Sequence, residues 1–187
     1  MSRLILFALV AFLALCAGCS TRRASVPPAA PSPKGDLLFV TGLLRHQNAA
    51  VQILDLCRSR SERAELRQAC STGLDSLQKR KAQLSEWIRA WSGQAETQAS
   101  THDDQYKSFY DQMRAAKNNE FDEAAARAIR VHAREGVTES ASCQLQAADP
   151  ELRAFCADLN AGQTRALNNA RRWICEWFKD CTEFGSR

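Results

Sequence analysis

The sequence predicts an all-α fold, a four-helix bundle built from two duplicated, disulfide-stapled helical hairpins plus a connecting helix. Three observations predict it: apolar residues recur at helical spacing, the chain repeats itself at a shift of 86 residues, and a Cys pair 13 residues apart occurs in each repeat. The length of 187 residues fits one domain or two very small ones and suffices for a real core. With 25% of residues charged, a multi-span membrane protein is excluded, and 45% hydrophobic content argues against wholesale disorder.

Residues 1–18 read as an export signal. Arg3 supplies a positive start, Leu4 to Leu15 is an unbroken run of 12 apolar residues, and Ala17-Gly18 precedes Cys19. The run is shorter than the about 20 residues that a stable transmembrane helix needs. The segment resembles the lipobox of bacterial lipoproteins, which implies cleavage before Cys19 and lipidation of that residue. Cys16 stands where Leu is usual in that motif. Ser20, rather than Asp, follows the modified position, and by resemblance to enterobacterial sorting this implies the outer membrane, facing the periplasm. Residues 19–34 hold Pro27, Pro28, Pro31 and Pro33 among Ala and Ser, a composition that favours an extended tether.

The repeat occupies residues 35–187. Shifted by 86, the stretch 36–91 matches 122–177 at 11 of 56 positions without a gap: Asp36, His46, Val51, Cys57, Glu65-Leu66-Arg67, Cys70, Trp87-Ile88 and Trp91 fall on Asp122, His132, Val137, Cys143, Glu151-Leu152-Arg153, Cys156, Trp173-Ile174 and Trp177. In repeat 1 (35–91), Phe39, Leu43, His46, Ala50, Ile53 and Cys57 form one buried stripe of a first helix. A turn follows the first Cys, and a second helix runs to the Trp pair. Residues 92–102 are polar and predict a loop; 103 to about 118 carry Tyr106, Phe109, Tyr110 and Met113 at helical spacing and predict the connecting helix, within a segment placed at 92–120. In repeat 2 (121–181), Asp149-Pro150-Glu151 predicts a helix start: Asp caps, Pro suits the first turn, and Glu favours the dipole.

Thirteen residues on one helix would rise about 20 Å, far beyond the 4.4–6.8 Å between Cα atoms that a disulfide requires. A turn midway brings the partners level, so Cys57 pairs with Cys70 and Cys143 with Cys156. Cys175 and Cys181 remain and pair by elimination, which requires the last helix to break near Phe178. Residues 35–187 contain no CxxC, so the folded part lacks the usual thioredoxin and zinc-ribbon signatures.

Of the 25 basic residues, Arg3, Arg22, Arg23 and Lys34 precede residue 35, leaving 21 against 21 acidic residues in the folded part. That neutrality gives no basic face, so no nucleic-acid partner is expected.

The repeat resembles the domain of unknown function 305 family, a ferritin-like helical family often found as tandem units. Tyr106, Phe109, Met113, Phe121-Asp122, His132, Gly136-Val137, Pro150-Glu151-Leu152-Arg153, Gln163 and Trp173 carry the resemblance in the second unit. Phe39, His46, Ala50-Val51, Glu65-Leu66-Arg67 and Trp87 carry it in the first. It implies a ferritin-like bundle and, in some members, a metal site, above all for copper, made from a His-His pair with Met at helical spacing. Thioethers suit Cu(I), and imidazole suits Cu or Zn. Here Gln47 follows His46 and Ala133 follows His132. Leu43, Ile53, Leu84, Ile129, Glu139 and Ala170 stand where Met is expected.

Two readings of the site result. In the first, His46 and His132 form a hydrogen-bonded polar layer in the core, without a cofactor, and the protein is a non-catalytic binding or structural module of the envelope. It would reach the membrane through its lipid and meet an envelope protein or ligand of unspecified identity. In the second, they bind a copper ion with Glu135, Glu139 or Met113 as further ligands. His102 reads as a solvated loop residue, and the Trp pairs as core. No phosphate loop, nucleophile elbow or HExxH nominates an enzyme.

Overall fold

A computed structural model describes residues 34–93 and 104–182. The expected signal, Cys19, most of the tether and His102 lie outside the described residues. Within them the chain is all-helical, with no strand: α1 (Lys34–Arg60), α2 (Ala64–Ser92), α3 (Asp104–Ala115), α4 (Asn118–Gln146) and α5 (Pro150–Phe178). None of these helices is long and apolar enough to cross a membrane.

The expected boundaries have identifiable causes. Gly93 closes α2 at φ 67°, a left-handed conformation that glycine adopts without Cβ strain. The Asp149 carboxylate accepts from the Glu151 and Leu152 N–H groups, at 2.8 and 2.9 Å, ahead of Pro150. α5 stops at Phe178, and Lys179 turns left-handed at φ 62°. This break lets Cys175 reach Cys181, with Cα atoms 4.4 Å apart. The connecting helix is shorter than expected, ending at Ala115, and α4 begins at Asn118 rather than near 121. Lys117 is extended and Asn118 lies at φ 50°, a conformation Asn tolerates better than most residues, so the chain reverses there.

α1 and α2 form one hairpin and α4 and α5 the other, closed by Cys57–Cys70 and Cys143–Cys156 with Cα separations of 6.1 and 5.9 Å. The hairpins join through α1 and α4, while α3 packs on those same two helices. α2 and α5 run in opposite directions and touch near both ends. Trp87 meets Phe155 edge-on at 5.2 Å, and the Trp173 indole N–H donates to Glu65 at 2.9 Å. Between these contacts they part around a cleft, where an even bundle would have closed.

Reciprocal braces tie the repeats together. Asp36, buried in the first turn of α1, accepts from the Ala148 and Asp149 N–H groups at 2.8 and 2.7 Å, holding the turn of the second hairpin. Its counterpart Asp122 accepts from the Arg63 N–H at 3.2 Å, holding the turn of the first. Each turn's carbonyls are bound from its own hairpin. Arg67 donates to Ser61 and Glu62 at 2.7 and 2.8 Å, and Arg153 to Ala147 and Ala148 at the same distances. The repeated Asp and Arg identities therefore satisfy turn backbone groups that burial would leave without water.

Two apolar clusters flank a buried polar layer. One surrounds Cys57–Cys70 with Ile53, Met113, Phe121 and Trp173; the other surrounds Cys143–Cys156 with Val40, Leu43, Leu84 and Leu159. His46, Gln47, Asn48, His132, Ser140 and Gln163 fill the level between them.

Candidate functional site

Small residues place the two histidines together. Ala49 and Ala50 on α1, with Ala133 and Gly136 on α4, are buried beside them and allow close helix approach. Gly136 has no spare room, since a Cβ there would lie 2.6 Å from the Gln163 side chain. The imidazoles of His46 and His132 stack with centroids 3.9 Å apart and planes 7° from parallel. Tyr106 of α3 presents its ring edge-on to both, at 6.5 and 5.6 Å, and its hydroxyl donates to the Glu135 carboxylate. Glu139 lies 3.8 Å from His46 Nδ1, so it serves the histidine of the other repeat rather than His132 on its own helix.

Burial, reinforced by any charge on His46, holds the His132 pKa well below the ordinary histidine range. The ring is therefore neutral at physiological pH. Its Nδ1 is buried and has no hydrogen-bond partner.

A shared copper ion would need both imidazoles to aim at one point. An imidazole binds a metal along an in-plane lone pair at about 2.0–2.1 Å. In parallel stacked rings those directions run side by side, and an ion in one ring plane is out of the other. The histidines are close enough to share an ion but wrongly oriented to do so. Glu135 is engaged by Tyr106. Met113 is seven residues beyond Tyr106, about 10 Å along α3, packed in the Cys57–Cys70 cluster with its carbonyl held by Arg60 at 3.2 Å. Among the described residues, no three His, Cys, Asp or Glu side chains converge as a metal-binding group. The arrangement does not fit a bridged ion.

On the side away from α3, the cleft between α2 and α5 encloses about 480 Å³. Its floor includes Gln47, Ile53, Ile129 and His132, and its walls include Arg80, Arg165 and Trp173. Sequence reasoning did not single out the cleft or its two arginines. They come from different helices and are not at equivalent positions of the repeat, so no spacing pattern marks them.

Residues 36–174 match the family described as domain of unknown function (DUF305). Among solved structures, the chain is similar to CopM in its Cu(I)-bound form, at TM-score 0.66 and 17% identity, covering 76% of this chain and 97% of that one. Apo CopM gives 0.65, 16%, 76% and 98%, and the Cu(II)-bound form 0.65, 16%, 76% and 97%. At this identity the likeness establishes the fold. Comparison with curated proteins gives no match.

Proposed function

The chain belongs to the DUF305 family, and from that premise we propose that it is a non-catalytic binding module of the bacterial envelope. In this reading its ferritin-like arrangement of stapled hairpins is anchored through lipidated Cys19 to the outer membrane and faces the periplasm. The observation that carries the non-metal part is the parallel stack of His46 on His132 at 3.9 Å. A ring-packed pair, with His132 neutral, fills the polar level of the core without directing its lone pairs at one point. The anchor rests on the sequence 17–19 and the Pro-rich segment behind it.

Metal analysis of the oxidised protein purified from the envelope tests this reading. It predicts no stoichiometric metal and no titratable Cu(I), Cu(II) or Zn(II) affinity tighter than about micromolar, roughly −8 kcal/mol. A bound metal lost on His46→Ala or His132→Ala would overturn it. The anchor is tested by Cys19→Ser, which should move the chain from the membrane to the soluble fraction.

A second reading, copper binding, is favoured by the likeness to CopM, a protein solved in Cu(I)-, Cu(II)- and Ag-bound forms, and by the unsatisfied Nδ1 of His132. It requires one imidazole to leave the stack, so copper addition should change the ring resonances of both histidines by NMR.

A further inference from the structure

The cleft between α2 and α5 is built asymmetrically along its length. Its α2 wall runs from Glu65 to Arg80, a rise of about 22 Å. A volume of about 480 Å³ drawn out over that length suits a linear body rather than a fused ring system. At the Glu65 end the charges are already matched: Glu65 accepts from Arg172 and from the Trp173 indole. The middle is bordered by Ile53, Leu54, Ala69, Ile129 and Ala166.

The opposite end carries unmatched donors. Cys57 faces Cys70 and Leu54 faces Gly73, so each step back along α1 is matched by a step forward along α2. Gln47 therefore comes level with Arg80. On the facing wall, the Nη2 atoms of Arg80 and Arg165 lie 2.9 and 3.9 Å from the point a Cβ would occupy on Gly162. Two guanidiniums thus converge over one bare stretch of α5. Neither closes a hydrogen bond or ion pair among the described residues; Asp158 acts on Arg80 as an opposing charge, and Arg165 repels it. Beneath them, Gln47 Nε2 and His132 Nδ1 are buried in the lining without partners. Two guanidiniums held together, Arg80 half-buried and Arg165 exposed, above an unsatisfied buried amide donor make a site that an anion would complete.

We propose that this cleft binds a single-chain amphiphile with an anionic head, a long-chain carboxylate or alkyl phosphate. The head would be held by Arg80, Arg165 and Gln47, and the chain would lie along the apolar floor towards Trp173. The proposal deepens the binding-module reading, on which it rests, by naming a ligand class. It stands or falls on a different measurement from metal content.

The test is calorimetric titration of dodecanoate, below its micellar concentration, into the delipidated full chain. Saturable 1:1 binding is expected, weakened at least tenfold in Arg80→Gln/Arg165→Gln and lost in Ala166→Phe, which fills the cleft. Circular dichroism confirms that each variant is folded. Dodecyltrimethylammonium should not bind. Dodecyl phosphate distinguishes the head: tighter binding than dodecanoate assigns a phosphate, weaker binding a carboxylate. Absence of 1:1 binding by both anions, or affinity unchanged in the double arginine variant, overturns the proposal.

Discussion

Replacing Asp36 by alanine removes the acceptor for two backbone N–H groups, those of Ala148 and Asp149, at 2.8 and 2.7 Å. The carboxylate is 1% exposed, so water does not replace it without opening the junction between α1 and the second turn. Each buried donor left without a partner costs about 1–3 kcal/mol. The lost acidic residue in the first turn of α1 adds about 0.3–1 kcal/mol. The expected loss is about 2–7 kcal/mol, read as a midpoint shift in urea at unchanged m-value on the oxidised protein. At roughly 2–4 °C per kcal/mol for a chain of this size, Tm falls by about 10 °C. Asp122→Ala removes one longer backbone bond, at 3.2 Å, and a 3.8 Å ion pair with the half-buried Arg63 guanidinium, and should cost less, about 1–3 kcal/mol. Asp36→Asn keeps one acceptor and should fall between wild type and Asp36→Ala. An Asp36→Ala loss below about 1 kcal/mol, or one no larger than that of Asp122→Ala, would refute the bracing argument.

Folded His132 takes up a proton less readily than unfolded His132, whose pKa is about 6.5. Below that pH the unfolded state binds more protons, so stability falls towards acid by up to about 1.4 kcal/mol per unit until the folded pKa is reached. His132→Asn should flatten this slope between pH 6.5 and 5; equal slopes in urea titrations would count against it. Gly136→Ala should cost about 1–3 kcal/mol by overpacking against Gln163, and Gln163→Ala in the same chain should recover part of that loss. Replacing Cys57 and Cys70 by Ser should cost about 3 kcal/mol in chemical denaturation while leaving the helical circular dichroism of the native state intact.

The elements legible in the sequence were those fixed by local chemistry or by the repeat. Asp149-Pro150 marks its helix start with its own side chain. The stop at Phe178 follows from the reach of Cys175 and Cys181, and the equal Cys spacings require two hairpins. Asp36 and Asp122 were visible as identities, but their partners are backbone amides 59 to 113 residues away, and a main-chain donor leaves no trace in side-chain patterns. The meeting of His46 and His132 was legible because both sit on an inward stripe at equivalent positions. The stacking angle was not, because it depends on how Tyr106 and the small residues around Gly136 set the rings. Glu139 shows the same limit: counting along α4 associates it with His132, whereas packing across helices gives it to His46. The paired guanidiniums over Gly162 arise from a register between α2 and α5 that neither helix encodes alone.

The exchange of braces, in which Asp36 holds the second turn and Asp122 the first, has the geometry of an isologous interface. In such an interface residue i of one copy serves j of the other, and j serves i. The two halves of this chain therefore relate to each other as the subunits of a homodimer joined by a linker. A half expressed alone would present an unused aspartate, a turn without its acceptor and a bare small-residue face. Each of these is complemented by a second copy of the same half. Separated between α2 and α3, the halves should stay associated in solution, and a single half should self-associate rather than persist as a folded monomer.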